Sequence, residues 1–316
     1  MALFSRMAYP AVAPAGISRA GSANLAAQAG EAPLFILPPV AVSAAGATGG
    51  SAASDTVSGM PAENGPAPFV RVGDAAVPAT QDAASLVADL GTGMVFASTN
   101  ADRRWPTASI AKLMSASIVS DKIDLNAKIS ITDQMFSADP SEPVLAVGAT
   151  YTAGDLLHLM LLPSSNVAAE AVAAFYGRDA FIKEMNARAA AWGMADTYFN
   201  DPSGISASDQ STVNDLLKLA RKIYADYPNL FTITRTPQAT ITEVNSGQKT
   251  IIKSINQFAG GSTFIGGKTG HTQQAAGNLL SVFRYRNRPV VIIVLGTDER
   301  FNDTQTLYDW FKANFR

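Results

Sequence analysis

The chain has 316 residues, a formal net charge of −2, no cysteine and two histidines. Without cysteine there can be no thiolate nucleophile, disulfide framework or iron–sulfur cluster, and two histidines cannot form a multi-histidine metal site. The near-zero net charge argues against nucleic acid as a partner, so we expect no metal, no cofactor and no polyanion.

The first 80 residues differ in composition from the rest of the chain. They hold seven charged residues and nine of the seventeen prolines, with alanine, glycine and serine at most other positions. Scattered proline and glycine interrupt any helical or strand period, so we predict a disordered tail over residues 1–80. Residues 32–54 are uncharged and resemble a signal-peptide apolar region, but Glu31 and Pro38-Pro39 fit it poorly. An export signal and an alanine- and proline-rich linker both stay open, and a transmembrane helix is not expected.

From residue 82 onward the pattern is that of a folded domain. Residues 85–98 predict two short strands around Gly91-Thr92-Gly93. Apolar residues at helical spacing predict helices over residues 107–119, 152–162, 164–177, 181–194 and 212–227. Thr152, with Asp155 three residues on, is predicted to cap the second of these as a capping box variant. Strands follow over 262–272 and 278–297, with a turn at Asn287, and then an amphipathic helix with Leu307, Trp310, Phe311 and Phe315 on one face. Strands at both ends with helices between them predict an α+β fold, in which N- and C-terminal strands share one antiparallel sheet covered by helices.

The first motif with catalytic potential is Ser109-Ile110-Ala111-Lys112, at the start of a predicted helix. Residues three apart on a helix share one face, so the Lys112 amine can reach the Ser109 hydroxyl. A lysine whose pKa is lowered by burial can act as the base that activates a serine, and a helix N-terminus favours an oxyanion. Composition alone produces a Ser-x-x-Lys pair about once in a chain of this length, so the pair by itself does not establish catalysis.

The second motif is Ser164-Ser165-Asn166, at the break after Pro163 between two predicted helices. Polar groups at such a junction can point into a cleft, and they can equally cap the helix that follows. The spacing alone carries no information, because Ser-x-Asn also occurs elsewhere, starting at Ser22, Ser98 and Ser254.

The third motif is Lys268-Thr269-Gly270, in a predicted strand and followed by His271. Glycine weakens a strand unless something approaches the backbone closely, and a substrate peptide adding to an exposed edge would do so. The alternative is a glycine-rich edge strand with a solvated lysine.

The three motifs together are more specific than any one of them. They occur in this order, 55 and 104 residues apart, on a helix start, an interhelix loop and a strand. The set resembles that of the penicillin-interacting serine enzymes. The stretches ADRRWPTASIAKLM, LLHLMLLPSSNVAAEAVA, FIKEMNARAAAWGMADTYFNDPSGIS and GGKTGHTQQAAGNLL are similar to segments of low-molecular-weight D-alanyl-D-alanine carboxypeptidases. The resemblance covers about residues 82–316 and implies a β-lactamase/transpeptidase-like domain over residues 81–316, with an all-helical subdomain.

The resemblance implies the catalytic roles. Ser109 would attack the carbonyl between the two terminal D-alanines of a peptidoglycan stem peptide, and Lys112 would accept its proton. Ser164 would relay a proton to the leaving D-alanine, with Lys268 keeping the neighbouring groups in useful protonation states. The backbone N–H groups of Ser109 and His271 would form the oxyanion hole.

The resemblance also implies the substrate-binding residues. Asn166 would hydrogen-bond the acyl-side peptide, and Lys268 and Thr269 would receive the terminal carboxylate beside Gly270. His158, at an apolar helix position, is expected to be a core histidine. The implied partners are stem peptides and, as covalent inhibitors, β-lactams, which places the protein in the cell envelope.

Some features depart from related enzymes. A class A β-lactamase needs a carboxylate that activates the deacylating water, and the corresponding stretch TYFNDPSGIS offers Asp201 and no glutamate. Efficient β-lactam hydrolysis is therefore not expected. No β-rich domain or anchoring helix follows the catalytic domain, so no C-terminal membrane anchor is expected. Carboxypeptidase, cross-link endopeptidase and a non-catalytic wall-peptide-binding domain stay open.

Overall fold

The computed structural model describes residues 67–316. Its strands are β1 (Ala84–Asp89), β2 (Val95–Thr99), β3 (Trp105–Pro106), β4 (Lys128–Ser130), β5 (Thr150–Thr152), β6 (Gln210–Ser211), β7 (Gln238–Thr242), β8 (Lys249–Lys253), β9 (Phe264–Thr272), β10 (Ala276–Tyr285) and β11 (Arg288–Leu295). Its α-helices are α1 (Lys112–Lys122), α2 (Ala153–Leu161), α3 (Asn166–Tyr176), α4 (Arg178–Ala191), α5 (Val213–Asp226), α6 (Pro228–Thr234) and α7 (Arg300–Asn314), with short 3-10 turns at Ala108–Ala111 and Asp133–Ser137.

One antiparallel sheet joins the two ends of the described chain. Its order is β2-β1-β11-β10-β9, and β1 pairs with β11 from Ala84↔Leu295 to Asp89↔Val290. The predicted α+β fold, with N- and C-terminal strands in one sheet, is confirmed. Strand β9, which carries the third motif, lies at the outer edge of this sheet.

Both faces of the sheet are covered, as alternation along β11 shows. Val291, Ile293 and Leu295 belong to a core shared with α1–α5. Val290, Ile292 and Val294 point the other way, into a core shared with α7. Side chains of a strand alternate between faces, so this run of buried branched residues holds a layer of helices on each side. The predicted apolar face of the last helix is confirmed, because Leu307, Trp310, Phe311 and Phe315 are all buried.

The helical part of the molecule follows the predicted boundaries closely. Thr152 caps α2 by accepting the N–H of Asp155 at 3.0 Å, as the sequence predicts, and Thr212 caps α5 in the same way.

The hairpin β7–β8, the pair β4–β5 and the helix α6 were not predicted. In the hairpin only Ile241 and Ile252 are buried, which leaves too little apolar alternation for a strand prediction.

The packed chain begins before residue 80, within the predicted tail. Phe69 is buried among the aromatic rings of α7 and the sheet. Val70 and Arg316 exchange backbone hydrogen bonds of 2.7 and 2.9 Å, and the Trp310 indole donates to the Ala75 carbonyl at 3.0 Å. The candidate export segment, residues 32–54, lies outside the described residues. Between residues 67 and 316 no helix combines the length and apolar character needed to cross a bilayer.

Candidate active site

The first motif lies on a strained turn between β3 and α1. Ser109 belongs to the 3-10 turn and Lys112 is the first residue of α1. Ala108 has a left-handed φ of 45°, which is costly for a residue with a Cβ. Its carbonyl fits only because residue 204 is glycine, where a Cβ would lie 1.9 Å from the Ala108 oxygen. The surrounding chain therefore holds residues 107–112, called the nucleophile turn after the candidate nucleophile Ser109, in a conformation that they would not adopt alone.

The Lys112 amine lies at the centre of three short contacts. Its Nζ is 2.7 Å from Ser109 Oγ, 2.7 Å from Asn166 Oδ1 and 2.9 Å from the Ser203 carbonyl. The amide and carbonyl oxygens only accept, so they take two N–H groups of a neutral amine and leave its lone pair facing the Ser109 hydroxyl. Burial lowers the pKa of Lys112 to about 7, against the opposing effect of nearby carboxylates led by Asp201. An amine in this position can serve as the base that activates a serine.

The second motif serves both of the purposes that the sequence left open. Ser165 caps α3 by accepting the N–H of Ala168 at 3.0 Å, and its hydroxyl donates to Glu142. Ser164 has a left-handed φ of 69°, and Asn166 is the first residue of α3. The strained turn thus directs Ser164 and Asn166 toward Lys268 and Lys112, and leaves the capping to Ser165.

The third motif carries a buried lysine. Lys268 is 1% exposed, so the alternative of a solvated lysine is wrong. Its Nζ donates to Ser164 Oγ at 2.8 Å and to the Thr269 carbonyl at 2.9 Å. Burial, and after it the charges of Lys112 and Arg300, hold the pKa of Lys268 well below its usual value.

The glycines around Lys268 make room for the protein itself. A Cβ on Gly270 would lie 2.9 Å from Ala108 Cβ and 3.1 Å from the Ser109 nitrogen, and one on Gly266 would meet Phe231 at 2.6 Å. The close approach of a substrate is therefore not needed to explain these glycines. They let the backbone of β9 approach the nucleophile turn and α6.

The motifs meet in one cleft at the edge strand. It has a volume of about 190 Å³ and is lined by Ser109, Ser164, Asn166, Ile255, Thr269, Gly270, His271 and Arg300. The His271 side chain is exposed. His158 lies on α2 instead, where its Nδ1 is 2.8 Å from the Gly154 carbonyl. Within residues 67–316 no group of three His, Cys, Asp or Glu side chains is arranged to hold a metal ion.

Arg300 is a site residue that sequence reasoning missed. It is the first residue of α7, it is partly buried, and its Nε has no hydrogen-bond partner within residues 67–316. Burial lowers the pKa of Arg300 from its usual value. A Cβ on Gly277 would lie 3.1 Å from its Nη1, so this glycine also leaves it space. A cation without an acidic partner at a cleft wall can bind a carboxylate.

Asp201, the carboxylate of the loop behind Lys112, is fully occupied. Its Oδ1 accepts the Ser203 N–H, the Ser203 hydroxyl and the Gly204 N–H, each at 2.7 Å, and its Oδ2 accepts the Ser206 N–H at 2.7 Å. The side chain is buried. Asp201 therefore shapes the loop that presents the Ser203 carbonyl to Lys112.

Comparison with known proteins gives a consistent family. The model of a family described as Peptidase S11, D-alanyl-D-alanine carboxypeptidase, matches residues 72–299. A D-alanyl-D-alanine endopeptidase of Pseudomonas aeruginosa is 34% identical over 76% of this chain and 81% of its own length. The D-alanyl-D-alanine carboxypeptidase DacB2 of Mycobacterium tuberculosis is 31% identical over 71% of this chain and 80% of its own.

Solved structures agree with these relatives. The crystal structure of a D-alanyl-D-alanine carboxypeptidase from M. tuberculosis H37Rv superposes with a TM-score of 0.71 at 30% identity, over 77% of this chain and 95% of that one. The Streptomyces K15 DD-transpeptidase superposes with a TM-score of 0.69 at 27% identity, over 76% of this chain and 100% of that one.

Proposed function

The chain belongs to the D-alanyl-D-alanine carboxypeptidase family, Peptidase S11, and from this premise we propose that it is a hydrolase that removes the terminal D-alanine of peptidoglycan stem peptides through an acyl-enzyme at Ser109. The observation that carries the proposal is the contact of the buried Lys112 amine with Ser109 Oγ at 2.7 Å. It supplies a serine with a base whose amine is itself buried.

In the acylation step, Ser109 Oγ bonds to the carbonyl carbon of the penultimate D-alanine while Lys112 takes the hydroxyl proton. The carbonyl oxygen becomes negative in the transition state. The N–H of Ser109, at the start of a helix, and the N–H of His271 on the edge strand are the proposed donors to it. This role uses the His271 backbone only, which agrees with its exposed ring.

The leaving amine of D-alanine must gain a proton as the C–N bond breaks. Ser164 is proposed to relay to the amine the proton that Lys112 took from Ser109, so that Ser164 ends the step as a hydroxyl; its Oγ lies 2.8 Å from Lys268 Nζ and faces the same cleft. Water then attacks the ester carbonyl and releases Ser109 and the shortened peptide.

The substrate binds as an additional strand along the free edge of β9 in this proposal. Asn166 has an amide N–H₂ group left for the acyl-side peptide, because its Oδ1 accepts from Lys112. The terminal carboxylate is received by Thr269 and Lys268. Arg300, whose Nε has no hydrogen-bond partner within residues 67–316, adds a positive charge at the cleft wall. A partly buried, charge-assisted contact of this kind favours peptides with a free C-terminus.

β-Lactams are expected to remain attached to Ser109. Rapid deacylation needs a carboxylate that is free to activate water, and Asp201, the only candidate in the corresponding loop by sequence, already accepts four hydrogen bonds. The role of a β-lactamase is therefore not supported by this loop.

Endopeptidase activity is the second candidate function. It is favoured by the names of two relatives, the D-alanyl-D-alanine endopeptidases of P. aeruginosa and of Escherichia coli, the latter 30% identical over 76% of this chain. The same Ser109 chemistry would then open the D-alanyl bond of a cross-link, whose leaving group is a second stem.

Two measurements test these functions. Labelled penicillin should attach covalently to the wild type and not to Ser109→Ala, and a folded wild type without label would contradict both enzymatic functions and leave a wall-peptide-binding domain. A pentapeptide stem should release D-alanine, whereas release of monomers from a cross-linked dimer at a higher rate would establish the endopeptidase. Members of the family act on peptidoglycan in the cell envelope, and we place this chain there, outside the cytoplasmic membrane.

A further inference from the structure

Asp209 is a buried carboxyl group that the proposed reaction does not use. Its side chain is 0% exposed, and it lies in the loop between α4 and α5, just before β6. Its Oδ1 accepts the N–H groups of Asn200 at 2.5 Å and Asp201 at 3.3 Å. Its Oδ2 is buried and has no hydrogen-bond partner within residues 67–316.

Burial and the neighbouring Asp201 make the ionised form of Asp209 costly. Asp201 accepts four hydrogen bonds, which fits a carboxylate that carries its charge. A negative charge on Asp209 would lie beside that of Asp201, on a carboxylate with one oxygen that has no hydrogen-bond partner within residues 67–316. It would therefore lose its hydration and also be repelled by Asp201. Burial first, and then the charge of Asp201, raise the pKa of Asp209 to about 8, although the neighbouring N–H groups and Lys112 act in the opposite direction. At neutral pH the group therefore keeps its proton.

The loop that Asp209 closes holds both ends of the nucleophile turn. The Asp209 carbonyl accepts the Thr107 N–H at 2.7 Å and the Thr107 hydroxyl at 3.3 Å. The same loop presents the Ser203 carbonyl to Lys112 Nζ at 2.9 Å. One contact thus lies two residues before Ser109, and the other holds its base.

We propose that Asp209, in its protonated form, is a positioning residue for the pair Ser109 and Lys112. The neutral carboxyl lets the loop close around the charged Asp201 without placing two negative charges in one buried space. The closed loop then holds the two carbonyl groups that fix Thr107 and Lys112. Ionisation of Asp209 opposes this closure. The inference rests on the proposed roles of Ser109 and Lys112 in acylation.

The first test compares Asp209→Asn with Asp209→Ala by the rate at which labelled penicillin acylates the protein. Asparagine has the shape and neutrality of the protonated acid, so we expect it to react within about threefold of the wild type at pH 7. Alanine removes the group that closes the loop, and we expect at least a tenfold slower reaction. If asparagine is as slow as alanine, the charged form is needed and the proposal is wrong; if alanine reacts like the wild type, there is no positioning role. Wild-type labelling in the same experiment tests the proposed function separately.

The second test is equilibrium unfolding between pH 4 and pH 8, and it does not depend on catalysis or on the alanine variant. An unfolded Asp ionises near pH 4, whereas the folded Asp209 keeps its proton to about pH 8. The unfolding constant of the wild type should therefore rise, relative to that of Asp209→Asn, by up to about tenfold for each pH unit in this window, and no further above it. Parallel pH profiles of the two proteins would overturn the proposal.

Discussion

The pH dependence of acylation is set by Lys112 if the buried amine is the base. Its pKa of about 7 lies well below the 10.5 of a solvated lysine. At pH 7 about half of the molecules then hold a neutral amine, compared with roughly 0.03% for a solvated lysine, a gain on the order of a thousandfold that corresponds to about 4 kcal/mol. Below pH 7 the neutral fraction falls about tenfold with each pH unit.

The assay is the second-order rate of labelling by a fluorescent penicillin between pH 5 and pH 8. We expect a half-maximal rate near pH 7 and, at pH 5, a rate about 100-fold below the maximal rate, because the protonated amine has no lone pair for the Ser109 proton. Lys112→Arg should be about a thousandfold slower than the wild type at pH 7, and its rate should not rise with pH in this range, since a guanidinium stays protonated. Lys122→Arg, in the last turn of the same helix, is the matched control and should react like the wild type.

Two outcomes would refute this reasoning. One is a labelling rate that is constant between pH 5 and pH 8 in protein shown to be folded by circular dichroism. The other is a Lys112→Arg variant that keeps more than about a tenth of the wild-type rate, because a permanently charged side chain cannot accept the proton.

Further predictions concern backbone strain, substrate recognition and the N-terminal contact. Gly204→Ala should slow penicillin labelling at least tenfold, since its Cβ would lie 1.9 Å from a backbone oxygen in the nucleophile turn. Gly247→Ala, with a similar positive φ but no neighbouring atom of residues 67–316 within 4 Å of the added Cβ, should lose only about 1 kcal/mol of unfolding free energy. Arg300→Leu should raise KM about 10- to 100-fold for a stem peptide with a free carboxylate and leave its kcat largely unchanged, and an unchanged KM would contradict the carboxylate role. Phe69→Ala should cost about 3–5 kcal/mol in denaturant unfolding, whereas Val70→Ala, at an exposed position, should change it by less than about 0.5 kcal/mol.

Local patterns in the sequence were enough to predict most of the elements. The glycine turn before β2 and the Thr152 cap of α2 depend on a few neighbouring residues, and the structure confirms both. The hairpin β7–β8 escaped prediction because its exposed strands have little apolar alternation. Its position is set by contacts with β5, such as the Val244 N–H to the Thr150 carbonyl at 2.7 Å, which no short window shows.

The site was accessible from the sequence only through three motifs considered together. Lys112 meets Asn166 across 54 residues, and Lys268 meets Ser164 across 104. No periodicity encodes such contacts, so the resemblance carried the prediction. Arg300 is outside every motif, and its proposed role depends on the start of α7 lying beside Gly277 of β10. The burial of Lys268 likewise follows from helices that cover the sheet, whereas its glycine neighbours had suggested an exposed strand.

The hydrogen bonds between Val70 and Arg316 close the described chain into a ring. A segment that continues from either end leaves the molecule from one place, beside α7. A tether fused to residue 67 or to residue 316 would therefore join the domain at nearly the same point. Exchanging one attachment for the other would leave the reach of the cleft from that point almost unchanged.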